Sequence, residues 1–158
     1  MEYSQHLIGF MFVCILVCLC IMYYYNEQNL YRNFLNGFWN NTNELEDIET
    51  ILYLDNETNV GKLMVSKKGK LLSNIDLTYS LDALSSNNNA SKTYQVSFDT
   101  GDNIGKYSKL LTDGNICIDV YLNEGTLVIY NKDNNDTIMS LFKDNITNHT
   151  MNKYIMSE

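Results

Sequence analysis

The chain has 158 residues, a formal net charge of −8, four cysteines and no proline. So acidic a chain lacks the basic surface that phosphate contacts need, which excludes nucleic acid as the expected partner. Its length leaves room for one domain with a real core after a membrane segment is set aside.

The first element is an uncharged apolar stretch, residues 7–25, which reads LIGFMFVCILVCLCIMYYY. At 1.5 Å per residue it makes a helix about 28 Å long, close to the roughly 30 Å hydrocarbon thickness of a bilayer. It is therefore predicted to be a transmembrane anchor with tyrosines at one interface. The predicted anchor residues are Leu7, Ile8, Phe10, Phe12, Val13, Ile15, Leu16, Val17, Leu19, Ile21, Tyr23, Tyr24 and Tyr25.

The alternative for this stretch is a cleaved signal peptide. Residues 1–6 contain no lysine or arginine, and no small-x-small cleavage site follows the apolar run, so an uncleaved anchor is favoured. The orientation stays open. Arg32 favours a cytosolic C-terminal side, whereas six glycosylation sequons favour the opposite side. The sequons begin at Asn40, Asn56, Asn89, Asn135, Asn145 and Asn148.

Five segments follow from this pattern: an N-terminal tip (1–6), the transmembrane helix (7–25), a linker (26–36), a β domain (37–144) and a polar tail (145–158). The linker is predicted to form one or two helical turns. Three of the four cysteines lie in the apolar stretch, and Cys117 alone lies in the domain, so no disulfide is expected there.

Alternating apolar and polar residues predict short strands through the domain. Residues 40–48 are expected to be a loop. The predicted strands are 50–54, both arms of a hairpin around Lys67-Lys68-Gly69, 74–82, 93–98, 106–112, 115–122, 126–130 and 137–143, with a tight turn at Asp113-Gly114. The predicted inward residues are Ile75, Leu77, Tyr79, Tyr94, Val96, Phe98, Ile116, Ile118, Val120, Leu127 and Ile129. Eight or nine strands joined in this way predict an all-β fold, either an antiparallel up-and-down barrel or a sandwich.

Gly37-x-Trp39 before a meander of strands resembles the opening of the lipocalins. The resemblance implies an eight-stranded barrel in which Phe38 and Trp39 close one end of the core, around an apolar ligand. The arginine that stacks on the tryptophan in that family is missing. Lys143 is expected to be a poor substitute because it lacks a planar face, which weakens the case for ligand carriage.

A second resemblance covers more of the chain. The segments 33–39 (NFLNGFW), 123–130 (NEGTLVIY) and 140–145 (SLFKDN) are similar to small membrane-anchored virion proteins of nucleocytoplasmic large DNA viruses. This resemblance implies a minor capsid protein or a protein of the inner membrane of the virion. It carries no known chemistry.

Candidate catalytic and metal-binding groups are sparse. The histidines are His6 before the span and His149 in the tail, and neither lies beside the strands as a base for Cys117. Asp133 and Asp136 lack the spacing of a calcium loop, so a hairpin turn is favoured. The acidic residues Glu44, Glu46, Asp47 and Glu49 are interpreted as a solvated loop. No catalytic site, metal or cofactor is therefore predicted.

The leading hypothesis is a structural, non-enzymatic single-pass protein that connects a lipid membrane to neighbouring virion or membrane proteins. The alternative is a tethered, lipocalin-like binder of a lipid or another apolar small molecule. Large inward side chains favour a filled core, whereas a carrier needs a cavity of about 300 Å³ or more.

Overall fold

The computed structural model describes residues 2–43, 46–84, 91–103 and 105–143. The chain divides into two units, Met1–Asn33 and Phe34–Glu158. The predicted tail, the histidine within it and the sequons at Asn89, Asn145 and Asn148 lie outside the described residues.

A single helix, α1, runs from Glu2 to Leu35. It includes the segment predicted as a linker with only one or two helical turns. After Gly9 no glycine or proline interrupts the helix, and Gly37 ends it by adopting a φ of +113°, which other residues rarely reach. The helix therefore continues for ten residues beyond the apolar stretch.

Eight strands form the second unit: β1 (Gly37–Asn43), β2 (Ile48–Asp55), β3 (Val60–Lys67), β4 (Lys70–Ala83), β5 (Lys92–Asp99), β6 (Ile116–Tyr121), β7 (Thr126–Asn131) and β8 (Asp136–Lys143). Each pairs antiparallel with the next, and β8 returns to β1, so that the sheet closes into a barrel. The prediction of an up-and-down barrel behind one N-terminal helix is confirmed, and the sandwich alternative is wrong.

Two elements differ from the sequence prediction. Residues 40–43 continue β1 along β2, where a loop was expected. Residues 106–112 form a short helix, α2 (Lys106–Thr112), instead of a strand. Its buried residues, Ser108 and Leu111, are three apart, which is the spacing of a helix face. Asp113-Gly114 consequently joins α2 to β6 and is not a hairpin turn.

The barrel interior is built from cross-strand neighbours. Trp39 pairs with Leu52, Leu52 with Leu63, and Leu63 with Ile75, and all four side chains are at most 1% exposed. All the residues predicted to point inward are buried as well. Gly61 lies between Leu54 and Leu77, where a Cβ would come within 2.8 Å of a Leu77 methyl carbon, so the interior leaves no room for a side chain there.

Candidate functional site

From Ile8 to Tyr25 the surface of α1 is apolar all round. The large side chains of this stretch are at least half exposed, including Phe10 at 68% and Tyr23 at 72%. The residues Ile8–Leu35 have a mean hydropathy of 2.3 in their most apolar window and are long and apolar enough to cross a bilayer.

One end of the barrel is closed around Trp39. The indole is completely buried, and its Nε1–H donates a hydrogen bond to the backbone oxygen of Leu35 at 2.9 Å. The Phe34 ring meets the indole edge-on, with ring centroids 5.5 Å apart. Leu35 is itself fully buried. Trp39 thus joins the last residues of α1 to the barrel core within the second unit.

Lys143 covers this end of the barrel. Its ammonium lies 4.6 Å from the centroid of the Trp39 ring and 5.4 Å from that of Phe34. It also donates hydrogen bonds to the backbone oxygens of Phe34, at 2.7 Å, and Asn36. The expectation that Lys143 is a poor substitute for the missing arginine is wrong in its geometry, because a cation–π contact needs a charge above the ring and not a planar donor.

The position of Lys143 perturbs its titration. Burial lowers the pKa of Lys143 from 10.5 to about 8, because the charged form loses solvation. The carbonyl oxygens and the two aromatic faces interact favourably with the charged form and oppose this shift.

We expect Lys143 to make the stability of the barrel pH-dependent. Its pKa is lower in the folded state than in the unfolded state, so the unfolded state binds more protons between about pH 8 and 10.5, and the free energy of unfolding rises with pH in that window. The Lys143→Met variant keeps the aliphatic stem and should lose this slope. Denaturant titrations at several pH values check it, and equal slopes for the two proteins would contradict it.

Phe38 does not share the position of Trp39. It is half-buried, and it points away from the core because neighbouring residues of a strand face opposite sides. Its ring lies against Tyr53 on β2, with centroids 4.7 Å apart. The expectation that both aromatic residues close the core is therefore corrected: Trp39 lies inside the barrel, and Phe38 covers its outer surface.

Among the concavities on the described part of the barrel are a groove and a small pocket. A groove of about 670 Å³ lies on the outside of β2–β5, where Lys62 and Asp76 form an ion pair at 3.4 Å. A pocket of about 180 Å³ lies at the end of the barrel away from Trp39, between β1, β2 and β8. Its lining residues are Asn41, Ile48, Thr50, Ile138, Met139 and Leu141.

The other candidate residues do not come together. Cys117 lies on β6 with its side chain completely buried, and this burial raises the pKa of the thiol, which disfavours the reactive thiolate. Asp133 accepts hydrogen bonds from the backbone and side chain of Asn115, and these bonds lower its pKa. Among the described residues no group of three or more His, Cys, Asp or Glu could hold a metal ion. Glu44 and His149 lie outside those residues.

Comparison with protein-family models, with curated proteins and with solved structures finds no significant match to this chain.

Proposed function

We propose that this chain is a non-enzymatic, single-pass membrane protein whose barrel makes contact with neighbouring proteins. The observation that carries the proposal is the pairing of an exposed apolar helix with a barrel of its own. The exposed apolar side chains of the helix are unfavourable in water, and insertion into a bilayer removes this free-energy cost. The chain is acidic, with a formal net charge of −8, and the barrel also exposes large apolar side chains such as Leu72 and Phe142; both features suit contacts with other proteins outside the membrane.

The barrel interior favours a structural role over the carriage of an apolar ligand. Fully buried side chains from β1 to β8 occupy the centre, among them Leu63, Ile118 and Ile129. The pocket at the barrel end measures about 180 Å³. A ligand site usually requires about 300 Å³ or more, so this pocket is small for a lipid chain.

We further propose that the membrane is the inner membrane of a virion and that the partners are virion proteins. This finer assignment is supported by the resemblance of segments 33–39, 123–130 and 140–145 to small anchored proteins of large DNA viruses. It predicts that the protein is packaged, and proteomics of purified particles, compared with the membranes of infected cells, tests it.

Native mass spectrometry of the full chain, released from detergent micelles after incubation with a phospholipid and fatty-acid mixture, separates the two roles. We expect the bare protein mass under conditions that remove detergent, because the packed interior holds no ligand. A one-to-one apolar adduct that survives those conditions would contradict the structural role and favour the tethered binder.

A further inference from the structure

The structure separates the glycosylation sequons that the sequence presents as equivalent. Those at Asn40, Asn56 and Asn135 lie within the described residues. An N-linked oligosaccharide is bulky and hydrated, so the folded domain accommodates it only where the asparagine side chain is at the surface and is not needed for another contact. Exposure and hydrogen bonding therefore distinguish the three positions.

Asn135 meets both conditions. It lies in the turn between β7 and β8, its side chain is exposed, and its φ of 58° is one that asparagine tolerates better than most residues. The turn is held by its neighbour: the Asn134 amide donates to the Asp136 carboxylate at 2.7 Å, and the Asn134 side-chain oxygen accepts from the Asp136 N–H at 3.0 Å. Thr137, the hydroxyl residue of the sequon, is exposed as well.

Asn40 lies in the sheet, where a glycan has little room. It pairs with Ile51 of β2 on one side and with Phe142 of β8 on the other, and its side chain is half-buried. A sugar on its amide nitrogen would have to displace the side chains that flank it on the outer face of the barrel.

Asn56 is engaged in the fold. Its side-chain oxygen accepts a hydrogen bond from the Tyr79 hydroxyl at 2.6 Å, and the side chain is half-buried. The hydroxyl of Thr58, the third residue of this sequon, donates to the Asp55 carboxylate at 2.8 Å. Among the described sequons, the exposed turn at Asn135 is thus the position best suited to carry a glycan.

The structure also accounts for the basic residue that opposes this assignment. Arg32 favours a cytosolic C-terminal side, but it lies in the last turn of α1. A cation is stabilised there by the helix dipole on either side of a membrane. Arg32 therefore has a local reason for its position, and its weight as an orientation signal is reduced.

We propose that Asn135 carries an N-linked oligosaccharide and that the barrel accordingly lies on the non-cytosolic side of the membrane. The donor is a lipid-linked oligosaccharyl diphosphate. The Asn135 amide nitrogen forms a bond to the anomeric carbon of the sugar and gives up one proton. The bond from that carbon to the diphosphate oxygen breaks, and the lipid diphosphate leaves with the electron pair.

The proposal rests on the single-pass role proposed above and adds the orientation and a modification site. The test uses the full chain with a glycosylation tag at its C-terminus, expressed in eukaryotic cells, and follows the alkaline carbonate pellet and supernatant separately. N-glycosidase treatment in heavy-oxygen water converts each glycosylated asparagine to a mass-labelled aspartate, and peptide mass spectrometry then identifies each site. We expect the label at Asn135 in the pellet, with little or none at Asn40 and Asn56.

Two variants of the hydroxyl residue provide a matched pair. Thr137→Val keeps the shape of the side chain and suits a strand, but it removes the hydroxyl that the sequon requires, so labelling of Asn135 should fall to background. Thr137→Ser retains the hydroxyl and should preserve the labelling. Equal labelling of Asn135 in both variants would contradict a sequon-directed glycan.

The outcomes distinguish the glycan from the anchor. A labelled tag with an unlabelled Asn135 overturns the site. If neither is labelled while the chain stays in the pellet, the barrel is cytosolic and the proposal fails, although the anchor stands. Labelled Asn135 in a chain released to the supernatant supports the site and contradicts the single-pass anchor. Labelling of Asn40 and Asn56 as complete as that of Asn135 would contradict selection by the fold.

Discussion

Replacing Trp39 with alanine is expected to lower the free energy of unfolding of the barrel by about 3–5 kcal/mol, the usual cost of removing a large buried aromatic side chain. The indole is fully buried, bonded to the Leu35 oxygen at 2.9 Å, and in contact with the Phe34 ring and the Lys143 ammonium. Its loss leaves a cavity and removes the surface on which the ammonium lies. A domain of this size has roughly 5–15 kcal/mol in total, so the variant should be marginal.

Two control variants separate the effect of the Trp39 ring from that of its hydrogen bond and from that of the neighbouring Phe38 ring. Phe38→Ala changes the neighbouring aromatic residue, which is half-buried on the outer face, and should cost about 1–2 kcal/mol. Trp39→Phe keeps a ring but loses the hydrogen bond to Leu35, so its cost should fall between the other two. Trp39 is the only tryptophan, so denaturant unfolding must be followed by circular dichroism in the β-sheet region. Equal losses in the free energy of unfolding for Trp39→Ala and Phe38→Ala would contradict the buried position of Trp39 in the core.

Placing two arginines in the middle of the apolar helix should abolish membrane integration. Leu16 and Val17 are about half exposed and lie near the centre of the predicted anchor. Each arginine at the centre of a membrane helix costs about 2.5–3.5 kcal/mol on insertion scales. The double variant Leu16→Arg/Val17→Arg should therefore move most of the chain from the membrane pellet to the soluble or aggregated fraction.

The matched control is the double variant Glu27→Arg/Asn29→Arg, which adds the same two side chains to the same helix outside the anchor. It should remain in the membrane fraction after flotation on a density gradient. If both double variants float with the membranes, the apolar stretch is not what holds the chain there.

The sequence predicts the barrel well because its signal is local. Alternation along residues 74–82 and 115–122 assigns each side chain to a face, and glycine-ended turns such as Lys67-Lys68-Gly69 set the antiparallel neighbours. The hairpin itself is confirmed, but its turn has two residues instead of the expected three-residue loop ending in glycine: Lys67 pairs with Lys70, and Lys68 and Gly69 have φ values of 52° and 72°. The order of strands in the barrel then follows the order in the chain.

The errors occur where a longer-range contact decides the structure. Residues 106–112 carry Leu110 and Leu111 in tandem, which fits strand or helix. The buried bond between Thr100 and Ser108, at 2.6 Å, holds the helical form against the end of β5. The asparagines of residues 40–43 are typical of loops, yet pairing with β2 makes them a strand.

The end of the barrel around Trp39 could be predicted only in part. Gly37-x-Trp39 indicates a buried tryptophan, but no local pattern connects it with Lys143, which is more than a hundred residues away in the chain. The 3.3 Å gap between the ammonium and the position of a Cβ on Gly37 gives a reason for glycine there, in addition to its positive φ. This reason follows only from the closed barrel, in which β8 brings Lys143 next to Gly37 on β1.

Alkaline carbonate extraction of membranes from cells expressing the unchanged protein, followed by intact-mass spectrometry, shows whether the apolar helix is an uncleaved membrane anchor. We expect the chain to stay in the pellet and to retain residues 7–25 in its measured mass. Release into the alkaline supernatant, or a mass that lacks the apolar stretch, would contradict it.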